Sequence, residues 1–140
     1  MGQLDYYKNQ IENRKRDIEH IKKYEIDREK RSIEQDKKRI EDHRKKILNY
    51  RTRKKDRSEY FKSRIKSTSS ASSKKGIREA KRKEMEIIKS RINSEKRHIQ
   101  NLKANIQRDR DLIKRYKNKI ADKRNQIKSY RENIKRLKGK

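Results

Sequence analysis

The sequence predicts an all-α fold, a long antiparallel two-helix coiled-coil hairpin with a serine-rich tip. Three observations carry that expectation. Isoleucine or a stand-in recurs about every seven residues, proline is absent, and one serine-rich segment interrupts the repeat at the midpoint. A seven-residue apolar repeat is the signature of helices wound on one another. Without proline, nothing in the chain forbids very long helices. Composition agrees: 26% of the 140 residues are hydrophobic and 49% are charged. That is too little apolar surface for a globular core, and without the repeat it would indicate disorder. A narrow isoleucine seam needs far less.

The first arm, expected over about residues 3–66, carries Leu4, Ile11, Ile18, Ile26, Ile33, Ile40 and Ile47 in one core row. The companion core positions are Tyr7, Arg14, Ile21, Glu29, Asp36, His43 and Tyr50. One irregularity stands out: Ile18 to Ile26 is eight residues rather than seven. The extra residue predicts a local bulge or an overwound turn near residues 22–25. Acids follow Ile11, Ile18, Ile26, Ile33 and Ile40, and pairs such as Glu12 with Arg16, Glu34 with Lys38 and Glu41 with Lys45 have the spacing that supports an isolated helix.

The break runs through Ser67, Thr68, Ser69, Ser70, Ala71, Ser72, Ser73, Lys74, Lys75 and Gly76. Serine clusters and glycine are loop chemistry, so residues 67–76 are expected to form the tip. Gly76, with Glu79 three residues on, marks the expected start of the second arm. That arm, over about residues 77–138, repeats Met85, Ile92, Ile99, Ile106, Ile113, Ile120, Ile127 and Ile134. Its companion row is Ile88, Glu95, Leu102, Asp109, Tyr116, Lys123, Tyr130 and Leu137. Arms of about 64 and 62 residues would each run roughly 95 Å at the helical rise.

The companion rows decide between a hairpin and a parallel dimer. Folded at the tip, each polar companion meets an aliphatic residue. Ile47 then faces Glu95, His43 faces Ile99, Ile33 faces Asp109 and Ile18 faces Lys123. In a parallel dimer Glu29, Asp36, Asp109, Arg14 and Lys123 would each face their own copy. Buried like charges cost several kcal/mol. In the hairpin they are expected to snorkel past an aliphatic neighbour.

A second regularity bears on function. The residue four after each member of the row from Leu4 to Ile47, and of the row from Met85 to Ile134, is cationic: Lys8, Lys15, Lys22, Lys30, Lys37, Arg44 and Arg51 in the first arm. In the second they are Lys89, Lys96, Lys103, Arg110, Lys117, Arg124, Arg131 and Lys138. With the core positions written a and d, these are e positions. In an antiparallel pair the two e rows share one flank and the two g rows the other. The e flank is therefore a rail without an acid, whereas the g flank is mixed. Like charges facing across a seam oppose pairing. Solvation of splayed lysines is the simple account of such a row; a phosphate-tracking groove is the functional one. Duplex nucleic acid presents one charge per about 1.7 Å of axis.

Net charge is +27, a statement about partners rather than fold. Seventeen basic and three acidic residues lie between positions 43 and 83, so the tip, with Lys74 and Lys75, is expected to make first contact. Tyr7, Tyr50, Tyr116 and Tyr130 fall in the core frame, whereas Tyr6, Tyr24 and Tyr60 lie outside it and are placed to stack on bases.

No motif of catalysis, phosphate binding by a glycine-rich loop, or zinc binding is present, so neither enzyme activity, cofactor nor metal is expected. His43 and His98 should approach across the hairpin with Glu95 a turn away, more simply as packed imidazoles than as a zinc site. Cysteine is absent, which excludes disulfides. No apolar run has membrane-spanning length and no signal-peptide core is seen, so an intracellular or virion setting is expected, whether cytoplasm, nucleoid or nucleus.

The organisation resembles the long helical arm of seryl-tRNA synthetases, an antiparallel hairpin that grips tRNA; the resemblance covers architecture only and implies an RNA partner. Size and midpoint break also resemble the helical hairpins of type VII secretion substrates, which implies a protein partner. Those usually carry Trp-x-Gly at the turn, and this chain has no tryptophan. The expected function is sequence-nonspecific binding of an RNA or DNA backbone, as a ribosome-associated, RNA-associated or genome-packaging factor. The alternative is a scaffold that docks acidic protein helices or tails on the same flank. Membrane insertion is disfavoured, since the apolar seam is already used internally. A hairpin monomer and a self-associated form both fit the pattern.

Overall fold

The computed structural model describes residues 2–139. The helices α1 (Gln3–His20) and α2 (Asp27–Ser67) form the first arm, joined by a π-helical segment over Ile21–Ile26. The helix α3 (Ala71–Lys138) is the second arm. The arms pack against each other as a helical hairpin, and no strand occurs among the described residues. Contacts divide it into a terminal unit, in which the residues up to Gln35 pack on those from Asn105 onward, and a tip unit, Asp36–Ala104.

In the terminal unit the core is Ile11, Ile18, Ile21, Ile26, Ile120 and Ile127, with Ile113, Tyr116, Tyr130 and Ile134 packed on it. Each buried isoleucine contributes about 1.5–3 kcal/mol. The expected register holds. Ser32 donates to Asp109 at 2.8 Å, Lys123 pairs with Asp17 at 3.5 Å, and the Tyr7 and Tyr130 rings lie 5.8 Å apart. The extra residue is absorbed where the spacing places it. The contacts Ser32–Asp109 and Asp17–Lys123 are of the same kind. Fifteen residues separate Asp17 from Ser32, but only fourteen separate Asp109 from Lys123. The π segment takes up the difference, and the outcome is the bulge rather than the overwound turn. A wider turn accommodates one more residue and returns the next isoleucine to the same face.

In the tip unit Ile40, Ile47, Phe61, Ile88, Ile92 and Ile99 are buried. The tip differs from expectation. The connection is only residues 68–70, α3 begins at Ala71, and Gly76 lies inside a helix. The reason is capping. The Ser70 hydroxyl accepts from the Ser73 amide at 3.4 Å, and the Lys74 amide donates to the Ser70 carbonyl at 3.0 Å. Serine is a better N-cap than glycine, and it occurs six residues earlier. At the other side Ser67 and Thr68 donate their hydroxyls to the Arg64 carbonyl at 3.1 and 2.7 Å, satisfying the end of α2. Lys74 and Lys75 therefore sit in the first turns of α3, not in a loop.

The polar seam also departs from expectation in part. Glu29 and Asp36 do not snorkel; they are 8% and 5% exposed. Their side chains are short, so arginines come to them instead. Arg28 Nε donates to Glu29 and Arg39 Nη1 to Asp36, each at 3.3 Å. Arg14 and Lys123, with longer stems, do reach outward.

Candidate nucleic-acid interface

Helix geometry sets which flank each seam residue can serve. An α-helix turns 100° per residue, so a lies beside e, and d lies beside g. In this chain the a positions are almost all isoleucine and nearly all polar seam residues are at d. The e flank therefore borders aliphatic seam, and the g flank borders polar seam. The side chains follow this rule in both units. In the terminal unit Arg14 donates to Gln126 at 2.7 Å, Asp109 accepts from Ser32, and Lys123 reaches Asp17. In the tip unit Asp36 is held by Arg39, and His43 bonds Glu95 and stacks on His98 with centroids 5.1 Å apart. These partners lie at g or within the d row itself; Glu29 differs, its partner Arg28 lying at c on the same helix. Lys37 aside, no seam acid pairs with a rail cation among the described residues.

The rail residues are all exposed. The terminal unit presents Lys8, Lys15, Lys22, Lys30, Arg110, Lys117, Arg124, Arg131 and Lys138; the tip unit presents Lys37, Arg44, Arg51, Lys89, Lys96 and Lys103. Lys15 pairs with Glu12 at 3.6 Å, the place expected for Arg16, and Lys37 has a partner of its own. The others make no ion pair among the described residues. In the tip unit Lys89, Lys96 and Arg97 line an open concavity of about 540 Å³ with Glu86, Asn93 and Gln100. A second, of about 320 Å³, is lined by Arg51, Lys54, Lys55 and Lys62 with one acid, Glu59. In the terminal unit the concavity beside the π segment, about 510 Å³, belongs to the g flank and mixes Asp17, Glu25 and Asp122 with Lys119 and Lys123.

The rail stops short of the tip. Arg82 occupies its next position on α3 and is held by Glu79 at 2.5 Å and Glu86 at 2.8 Å. The hydrogen bond from Arg82 lowers the Glu79 pKa, and the two carboxylates raise that of Arg82. Arg57 grips Glu84 with two bonds of 2.6 and 3.1 Å, which hold the Glu84 carboxyl below the usual carboxylate range. The same guanidinium lies over Tyr60 and Phe61, at 4.4 and 5.1 Å from the ring centroids. Sequence reading missed this cluster, although Arg57, Tyr60 and Arg64 have the spacing of one helix face. Of the tip lysines Lys75 is exposed and Lys74 half-buried.

Tyr6, Tyr24 and Tyr60 are exposed as expected. Each already meets a neighbour: Tyr7 edge-on at 5.5 Å, His20 at 5.0 Å, and Arg57 respectively. Among the described residues no three His, Cys, Asp or Glu side chains gather as metal ligands, and no helix is long and apolar enough to cross a membrane. Fold and flank together describe a basic α-helical hairpin. Beyond that class, the chain matches no family model, no curated protein and no solved structure.

Proposed function

We propose that the chain is a non-enzymatic nucleic-acid-binding hairpin that engages the phosphate backbone of RNA or DNA without reading bases. The observation that carries this reading is the asymmetry of the two flanks. Seam polarity is confined to the g side, so the e cations border isoleucine and are left almost unneutralised. A hairpin serving only as a spacer gains nothing from facing lysine rows, whose repulsion opposes pairing. A polyanion supplies the missing counter-charge and releases its own counterions on binding.

The test has two parts. First, the protein is purified with and without nuclease, and copurifying RNA or DNA is measured by absorbance and gel. Nucleic acid lost on nuclease treatment supports the proposal; copurification of an acidic protein instead overturns it. Second, affinity is followed against salt. With about six to ten phosphate contacts, it should fall about 10³–10⁵-fold between roughly 50 and 200 mM. Replacing Lys96, Lys103, Arg110 and Lys117 by Glu should abolish binding while raising the melting temperature, because the reversal turns repulsion across the flank into attraction. Binding that survives the reversal rules out the rail.

A further inference from the structure

The rail has a neighbour row that treats the two arms differently. The residue after each core isoleucine, position b, lies beside e on the helix surface and faces the same side of its arm. In the first arm of the terminal unit this row is Asp5, Glu12, Glu19, Asp27 and Glu34. Acids alternate there with the rail lysines, and Glu12 takes Lys15. On α3 in the same unit the b row is Lys114, Ala121, Lys128 and Lys135 after Gln107. From Arg110 to Lys138 these two rows contain eight cations and no acid. Lys114, Lys128 and Lys135 are exposed and make no ion pair among the described residues. In the tip unit the b row of α3 is Glu86, Asn93 and Gln100, so the doubling is confined to the terminal unit.

We infer that Lys114, Lys128 and Lys135 complete a double cationic row on α3, and that this row seats the phosphate backbone in the terminal unit. The inference rests on the polyanion reading above and narrows it to one arm. Rail cations alone recur every seven residues, about 10 Å apart. Interleaving the b lysines brings most neighbours to three or four residues, about 5 Å. Each strand of a duplex advances about 3.4 Å of axis per phosphate. The double row thus offers one cation for every one to two phosphates, a density the first arm cannot reach because its b acids repel the strand.

The experiment compares two charge-matched triple variants. One is Lys114→Gln, Lys128→Gln, Lys135→Gln. The other, Arg16→Gln, Lys23→Gln, Arg31→Gln, removes three exposed cations from the outer face of the first arm in the same unit. Binding to a fluorescein-labelled oligouridine strand of about 20 nucleotides, long enough to span the whole row, is measured over a salt series, and circular dichroism checks that each variant is folded. The α3 variant should lower the log–log salt slope by about 2, from three lost contacts on a single strand, while the outer-face variant should keep the parent slope. Equal losses in the two variants would show that bulk charge alone matters and would overturn the inference while leaving the proposed function standing. A parent protein that binds neither oligouridine nor duplex DNA at low salt overturns both.

Discussion

At single positions the chain places charge and conformational freedom where packing does not need them. Gly76 lies within α3, and a Cβ there would meet nothing within 4 Å. Glycine in a helix interior costs about 0.5–1 kcal/mol relative to alanine. Gly76→Ala should therefore stabilise the protein by about that amount and raise the melting midpoint followed by circular dichroism. An unchanged or lower midpoint would place the true start of α3 beyond Gly76, as the serine and glycine content alone suggests. Glu29 and Asp36 illustrate the opposite case. Each is buried, and each is satisfied by one arginine, which keeps them tolerable without making them strong contributors. Their value lies in what they oppose, since in a parallel dimer each would meet its own copy.

Among the elements, the π segment is the one whose cause is plainest. Eight residues between Ile18 and Ile26 cannot fit two α-turns without rotating the seam, so the backbone widens locally and the row continues. Deleting Lys23 should convert the segment to ordinary α-helix and give a protein that melts at or above the parent temperature. Deleting Lys38, inside the regular repeat, should instead turn one side of the seam outward. It should lower stability by several kcal/mol, about 1.5–3 for each isoleucine displaced. Thermal melts of both deletions decide the matter; similar losses would mean that the π segment does not carry the extra residue. The tip boundaries were less legible. Composition marked residues 67–76 as loop, but local hydrogen bonds donated by Ser67 and Thr68 and accepted by Ser70 close the turn in three residues. Serine is both a loop former and a helix cap, and only the backbone it bonds tells which.

For the whole molecule, the intramolecular seam sets how stability responds to conditions. A hairpin closes within one chain, so its melting midpoint should be constant over a hundredfold change in protein concentration, whereas an obligate dimer's midpoint rises with concentration. Concentration-dependent melting would exclude the monomeric hairpin as the stable form. Periodicity, the absence of proline and the midpoint break were enough to determine an all-α antiparallel hairpin, its register and the site of its bulge, because a heptad seam depends on local spacing more than on distant contacts. The rail was also legible, as a cation fixed at one heptad position. Side-chain direction was not. Whether Arg14, Lys123, Asp109 and His43 would change the charge of the rail or turn from it depends on which neighbours their atoms reach, and the packed arms sent them to the g side. Spacing alone settled where the charges stand and which of them can pair along one helix, as Lys15 does with Glu12; only tertiary packing decided the partners of Arg14, Lys123, Asp109 and His43, because those contacts depend on distances across the seam that no single helix contains.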